Sequence, residues 1–205
     1  MKKMLIIDAA MRQESRTRTL LHAFLEGLQP DVFQIAHLKL DELRPQPLNE
    51  VTLYLRTRLV NEKHYDDPMF TLARQFSEAD VIVFAAPYWD MSFPAVLKAY
   101  IENICVEGIT FRTSETGLQG LCRCEQAFLL TTRGGFTETG SQDDQALPYL
   151  NAIGRLTGYG DVKVIAASCL DIAGMDHEGL LADACDQARE AGEELSCRMN
   201  PRTMV

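Results

Sequence analysis

The chain has 205 residues, with 29 acidic and 20 basic side chains and a formal net charge of −9. A chain of this length favours one compact domain, and we expect that domain to span residues 1–200, followed by a tail at residues 201–205. The acidic balance argues against nucleic acid as a partner, because binding to a phosphate backbone requires a basic surface. No apolar run has the length of a signal-peptide core or a transmembrane span, so we expect a cytoplasmic protein with no membrane partner.

Apolar runs and amphipathic stretches alternate along the chain. Period-2 or continuous apolar runs predict strands at residues 3–8, 31–38, 81–86, 125–132 and 161–168. Helical periodicity predicts helices at residues 18–28, 68–79, 93–104, 144–156 and 177–195. Residues 41–66 are expected to be irregular or partly helical, with Tyr54 and Tyr65 as candidate pocket lining. Residues 105–121 form an excursion rich in glycine and polar turns.

Five strands that alternate with helices predict an α/β fold, a doubly wound parallel sheet with helices on both faces. The dinucleotide-binding version has a glycine-rich first turn, but this chain has no glycine before Gly27. The flavodoxin-like strand order 2-1-3-4-5 fits better. Ligands of such sheets bind at the carboxyl ends of the strands. The loops after Asp8, Ala86 and Thr132 are therefore the candidate site.

The loop after the first strand leads into a helix through Ser15, Arg16 and Thr17. A helix that begins near Thr17 has unpaired backbone N–H groups and a partial positive charge, so it can hold a phosphate. The two hydroxyls would add donors, and Arg16 or Arg12 would add charge. The alternative is that Ser15 or Thr17 only caps the helix.

The other two loops predict a site for a planar ring. A shelf of large side chains, Tyr88, Trp89, Asp90 and Met91, directly follows the third strand. The fourth strand ends in Thr132, Arg133, Gly134 and Gly135, where paired glycines would let backbone N–H groups approach a ligand. Alone, the glycine pair is more typical of a turn, and Arg133 could anchor the loop, approach a phosphate or face solvent. Together, a phosphate site, a flat shelf and a polar edge describe flavin mononucleotide (FMN).

These motifs resemble those of the FMN-dependent NADH-azoreductases, which also act as NADH:quinone oxidoreductases. Ser15-Arg16-Thr17 matches the family's Ser-x-Ser/Thr loop, residues 87–91 match its Pro-Met-Tyr-Asn-Phe shelf, and residues 132–135 match its Ser-Arg-Gly-Gly loop. Its Leu-Lys-x-Tyr and Gly-x-Thr-Phe segments are present at residues 97–100 and 108–111. The chain departs from the family at Asp90, which replaces asparagine, and at Thr137, where an aromatic residue or histidine is common.

The resemblance implies an enzyme in which NADH or NADPH reduces FMN and a quinone or azo compound then takes two electrons from the same face, with ping-pong kinetics. It also implies a homodimer with its active site near the subunit boundary. No catalytic side chain is required, because the cofactor carries the chemistry. The spacing of the six cysteines does not suggest a metal site. A flavodoxin-type electron carrier and a receiver-like signalling domain remain as alternatives.

Overall fold

A computed structural model describes residues 1–115 and 117–200, so the predicted tail at 201–205 lies outside the described residues. The strands are β1 (Lys2–Asp8), β2 (Phe33–Lys39), β3 (Val81–Ala85), β4 (Phe111–Ser114), β5 (Gly117–Gly120), β6 (Gln126–Thr132) and β7 (Val162–Ala167). The helices are α1 (Arg16–Glu26), α2 (Leu40–Leu43), α3 (Glu50–Asn61), α4 (Thr71–Ser77), α5 (Ala95–Ile104), α6 (Ala146–Thr157) and α7 (His177–Met199), with a 3₁₀ turn at Pro68–Phe70 before α4.

The main sheet has five parallel strands in the order β2-β1-β3-β6-β7. Strands β4 and β5 form a separate antiparallel hairpin. When the hairpin is left aside, the order is 2-1-3-4-5, so the predicted flavodoxin-like fold is confirmed. This order places the carboxyl ends of β1, β3 and β6 side by side at one edge of the sheet.

Two hydrophobic layers cover the two faces of the sheet. Met4 and Ile6 of β1 point to one face and pack with residues of α1 and α7. Leu5 and Ile7 point to the other face, among residues of α4, α5 and α6. Because alternate side chains of a strand lie on opposite faces, a strand buried on both sides is apolar throughout. The continuous apolar run at residues 81–86 predicts a strand in the middle of a parallel sheet, and β3 does lie at the centre of the order.

Helices α1 and α7 approach each other closely at two glycines. A Cβ atom on Gly27 would lie 2.0 Å from the carbonyl oxygen of Arg189, and one on Gly192 would lie 2.3 Å from that of Phe24. These separations are far below any real Cβ contact, so the backbones of the two helices touch directly. The last helix therefore fixes the position of the first.

The structure is more regular than predicted between residues 40 and 61. Helix α3 begins with a capping box, in which Asn49 Oδ1 accepts hydrogen bonds from the N–H groups of Val51 and Thr52, and Thr52 Oγ1 accepts one from the N–H of Asn49. The apolar periodicity of α3 is weak, and Leu59 is its one buried side chain. Tyr54, predicted as pocket lining, is 73% exposed on this helix.

The predicted helix at residues 68–79 is divided into the 3₁₀ turn and α4. The excursion at residues 105–121 contains the hairpin of β4 and β5, which packs against α6: a Cβ on Gly120 would lie 2.4 Å from the Cα of Gly158. Tyr65, also predicted as pocket lining, packs against Gly108 just before the hairpin. Within the described ranges, no helix has the length and apolarity to cross a membrane.

Candidate functional site

The loops that follow β1, β3, β6 and β7 line one cleft at the carboxyl edge of the sheet. Together with the solvent at its mouth, the cleft holds about 560 Å³ of empty space. The predicted site residues that line it are Ser15, Arg16, Thr17, Tyr88, Trp89, Thr132 and Gly134. The structure therefore brings the three predicted loops together, and it adds Asp171 from the loop after β7.

The amino-terminal end of α1 offers unpaired hydrogen-bond donors. Ser15 occupies the N-cap position with an extended backbone (φ −123°), but its side chain makes no capping hydrogen bond. The first hydrogen bond of the helix runs from the N–H of Thr19 to the carbonyl of Ser15 (3.1 Å), so the preceding amides have no partner within the helix. The alternative that the Ser15 hydroxyl caps α1 is therefore not what the structure shows. The hydroxyl is available to a ligand.

Thr17 is held differently. Its side chain is fully buried, and its Oγ1 lies 2.6 Å from Oγ1 of Thr132 at the end of β6. The hydroxyl predicted to bind a phosphate thus joins the first loop to the third. A ligand could share this hydrogen bond, but the contact between the two loops exists without one.

Arg18 determines the shape of the first loop, a role that the sequence did not reveal. Its Nε donates to Asp8 Oδ2 (2.7 Å), and its Nη atoms donate to the carbonyl oxygens of Ala10 (2.6 Å) and Arg12 (2.9 Å). Burial would raise the pKa of Asp8, but hydrogen bonds from His37, Arg18 and the N–H of Ala10, with the charge of Arg18, outweigh burial and hold that pKa below its usual value. The loop is thus clamped around a buried carboxylate.

Arg16 does not point freely into the cleft. Its Nη1 donates to the carbonyl of Leu170 (2.6 Å), and its Nη2 lies 2.7 Å from Asp171 Oδ1. Arg12, which also lines the cleft, makes no ion pair with any described residue. Of the two arginines predicted to supply charge, Arg12 is the one whose charge is not already neutralised.

The shelf is a tight turn from Trp89 to Ser92. These two residues exchange backbone hydrogen bonds of 3.2 and 2.8 Å, and the residues between them, Asp90 and Met91, have φ of 49° and 67°. Two successive positive φ angles are the pattern of a type I′ turn, which aspartate tolerates as well as asparagine does. Asp90 can therefore take the place of the family's asparagine in this turn. Met91 is strained by its positive φ, and such strain is common at functional sites.

The Arg133 side chain anchors its loop. It is buried, and its guanidinium donates to the carbonyl of Thr137 (2.8 Å) and to Asp144 Oδ2 (3.2 Å), while lying 5.4 Å from the centre of the Tyr88 ring. It therefore lies close to the Tyr88 ring of the shelf. Asp144 pairs with its charge, and a direct role of this guanidinium in holding a cofactor stays a prediction.

The two glycines differ in what surrounds them. A Cβ on Gly134 would lie 2.2 Å from Asp171 Oδ2, whereas one on Gly135 would meet no atom within 4 Å. Neither glycine has a positive φ. Their carbonyls accept hydrogen bonds from the N–H groups of Asp171 and Cys169 (both 3.0 Å), but no described group accepts from their own N–H groups. The loop thus has free donors beside open space.

These features fit FMN. Unpaired donors at the amino end of α1 suit a phosphate, Tyr88 and Trp89 suit a planar ring, and the free amides of Gly134 and Gly135 suit its polar edge. The described residues bring no three His, Cys, Asp or Glu side chains together in a way that could hold a metal ion. Fold and site together define an α/β protein of the flavodoxin type with a cleft for a phosphorylated planar ligand.

Comparison with known proteins specifies the family. Residues 2–191 match the family model described as "Flavodoxin-like fold". An FMN-dependent NADH:quinone oxidoreductase 2 of Clostridium acetobutylicum is 37% identical over 200 residues, which cover 95% of this chain and 100% of that protein. A relative from Clostridium beijerinckii, named FMN-dependent NADH:quinone oxidoreductase, is 33% identical over 94% of this chain and 99% of its own length. The chain belongs to the flavodoxin-like family that contains these proteins.

Solved structures agree on the fold. An azoreductase from Bacillus anthracis superposes with a TM-score of 0.83 at 21% identity, covering 95% of this chain and 100% of that one. An FMN-dependent NADH-azoreductase from the same species, solved in complex with FMN, gives a TM-score of 0.80 at 22% identity, covering 96% and 100% of the two chains.

Proposed function

We propose that the protein is an FMN-dependent NADH:quinone oxidoreductase. The observation that carries the proposal is one cleft, in which the unpaired donors of α1, the shelf of Tyr88 and Trp89 and the open amide of Gly134 border the same space. The names of the relatives that match nearly the whole chain support quinones as acceptors and NADH as the donor. They favour an enzyme over an electron carrier or a receiver-like domain.

Each part of the cleft has a separate task in this proposal. The first amides of α1 and the Ser15 hydroxyl bind the phosphate, and Arg12 supplies charge. Trp89 and Met91, 37% and 48% exposed, present a surface for the ring. Bound FMN would supply the redox chemistry, which is hydride acceptance from NADH and two-electron reduction of a quinone to its hydroquinone. The protein orients the cofactor and leaves one face of it accessible to both substrates in turn.

The surroundings of the cleft favour small acceptors. The resemblance to the azoreductases implies aromatic side chains near Thr113 and after the Pro-Tyr-Leu segment at residues 148–150. Thr113 is instead an exposed residue of β4, and α6 has Ile153 and Leu156 after that segment. An aromatic pair would add about 0.5–1.5 kcal/mol beyond simple burial. Without such pairs, we propose that a benzoquinone is reduced more efficiently than a bulky azo dye. A dye preferred tenfold or more in kcat/KM would contradict this.

We further propose that the protein is a cytoplasmic homodimer. Val51, Leu53 and Tyr54 are exposed on α3, at 76%, 51% and 73%, and Leu118 is 64% exposed on the hairpin. A contiguous exposed apolar patch commonly marks a protein interface, and we propose that these side chains contribute to one. All six cysteines are free thiols, as in a reducing compartment. A monomeric mass by light scattering at micromolar concentration would contradict the dimer.

The function is tested by loading the apoprotein with FMN and following NADH oxidation with a benzoquinone. Double-reciprocal plots of the steady-state rate, with NADH and the benzoquinone both varied, should give parallel lines, because one flavin face serves both substrates in turn. Intersecting lines would contradict this order. Ser15→Ala should weaken FMN binding tenfold or more, since a hydrogen bond to a charged phosphate contributes about 1.5–3 kcal/mol. Ser77→Ala is the control, because its hydroxyl bonds the carbonyl of Arg74 at the end of α4. Failure of the wild-type protein to bind FMN would overturn the proposal.

A further inference from the structure

The carboxylate of Asp171 is partly unused. Oδ1 is paired with Arg16 Nη2 at 2.7 Å, but no described group donates a hydrogen bond to Oδ2. Oδ2 lies 2.2 Å from the position that a Cβ atom on Gly134 would take, so it occupies the space that the glycine leaves open. Asp171 lines the same cleft as Ser15 and Trp89. The cleft therefore contains a free carboxylate oxygen beside both the first turn of α1 and the glycine loop.

Such an oxygen can only accept hydrogen bonds, and it carries negative charge. Its charge repels a phosphate, and the apolar faces of a planar ring offer it no donor, but it suits a hydroxyl group. In FMN the segment between phosphate and ring is the ribityl chain, which carries hydroxyls. We propose that Asp171 Oδ2 accepts a hydrogen bond from a ribityl hydroxyl and that Arg16 positions Asp171 instead of binding the phosphate. This inference rests on the proposed function.

The position of Asp171 is fixed from three sides. Its own N–H donates to the carbonyl of Gly134 (3.0 Å), and the N–H of Leu170 donates to the carbonyl of Arg133 (3.1 Å). Arg16 bonds the Leu170 carbonyl as well as the Asp171 carboxylate. A carboxylate held in this way loses little freedom when a ligand binds. Its side chain is still 66% exposed, so a ligand can reach it without a rearrangement of the loop.

The ion pair also resolves a charge conflict. A carboxylate close to a phosphate would repel it, and Arg16 cancels that charge at 2.7 Å. Arg12 then remains as the cation for the phosphate. The arrangement assigns the two arginines different roles, which a titration with different flavins can separate.

Three flavins distinguish the parts of the cleft: lumiflavin has only the ring, riboflavin adds the ribityl chain, and FMN adds the phosphate. We expect Asp171→Ala to weaken the binding of riboflavin and FMN about tenfold or more, which is the effect of one hydrogen bond to a charged group. The affinity for lumiflavin should not change. Affinities are measured by quenching of flavin fluorescence in the apoprotein. Asp186→Ala is the matched control, because Asp186 also pairs with an arginine (Arg189, 2.6 Å), but on α7 away from the cleft.

Unchanged riboflavin affinity in a folded Asp171→Ala protein, or an equal loss for lumiflavin, would overturn the contact. If that variant does not fold, Asp171→Asn, which keeps one acceptor oxygen, serves in its place with a smaller expected loss. Arg16→Gln should weaken the binding of riboflavin and of FMN by the same factor. A larger loss of affinity for FMN would assign Arg16 to the phosphate instead. Wild-type protein that binds none of the three flavins would overturn the proposed function itself, and this inference with it.

Discussion

The side-chain hydroxyls of Thr17 and Thr132 form a hydrogen bond of 2.6 Å, and both residues are buried. One belongs to the first turn of α1 and the other to the end of β6, 115 positions further along the chain. This bond holds the proposed phosphate end of the cleft against the glycine loop, so the separation of the two ends does not depend on a ligand.

Thr17→Val should therefore cost stability as well as affinity. It leaves the Thr132 hydroxyl buried without its partner, which costs about 1–3 kcal/mol. Denaturant unfolding of the apoprotein measures this loss. The double variant Thr17→Val/Thr132→Val should recover part of it, because no unpaired hydroxyl remains. If the two single losses simply add, the bond does not contribute as described.

The Asp8–Arg18 pair should make stability depend on pH. The pKa of Asp8 is depressed in the folded state, so its contribution is complete above the unfolded pKa of about 4 and is lost as the pH falls through the lower, folded value. Asp8→Asn should destabilise the protein by about 3 kcal/mol at pH 7. The difference from wild type should shrink as the pH falls from about 4 through the lower, folded pKa, below which Asp8 itself is neutral. A difference that stays constant from pH 7 to pH 2 would contradict this.

The turn at Asp90 and Met91 should show a conflict between stability and activity. Met91→Gly removes a side chain from a residue with φ of 67°, which should stabilise the fold by about 1 kcal/mol. The same change removes part of the proposed ring surface, so flavin affinity should fall. Thermal unfolding of the apoprotein and a flavin titration measure the two effects. Asp90→Asn is the control and should change neither, because both residues tolerate this conformation.

Arg56 should stabilise the end of α5. Its guanidinium donates to the carbonyl of Glu102 (2.8 Å) and to that of Cys105, and so joins α3 to the carboxyl end of α5. Arg56→Met should cost about 3 kcal/mol or more of unfolding free energy, because two hydrogen bonds from a charged group are lost and each contributes about 1.5–3 kcal/mol. Arg58→Met on the exposed side of the same helix is the matched control. Equal effects of the two changes would show that Arg56 does not join the helices.

The fold was predictable because its signals are periodic. The apolar run of β3 and the stripe of α5 that buries Leu97, Tyr100, Ile101 and Ile104 follow from spacing alone. Helix α3 was predicted only as part of an irregular or partly helical segment, because it buries little and its start depends on the capping box at Asn49. Propensity patterns carry no strong signal for such a helix.

The loops that form the candidate site could be identified from the sequence, but the partners of their charged side chains could not. The partners of Arg16 and Arg133 are Asp171 and Asp144, which lie 155 and 11 positions away in irregular segments. No periodic pattern connects such residues. Arg18 was overlooked for a similar reason, since its partners, the Asp8 carboxylate and two backbone carbonyls of the loop that precedes it, follow no periodic pattern.

The close approach of α1 and α7 has a consequence for the order of events during synthesis. A ribosome makes the chain from the amino terminus, so α7 emerges after every other described helix. Until then α1 can pack on the sheet, but the direct backbone contacts at Phe24 and Gly27 are missing. The helix whose first turn borders the cleft is thus fully fixed only after α7 has been translated, so the nascent protein should bind its ligand tightly only once α7 has emerged.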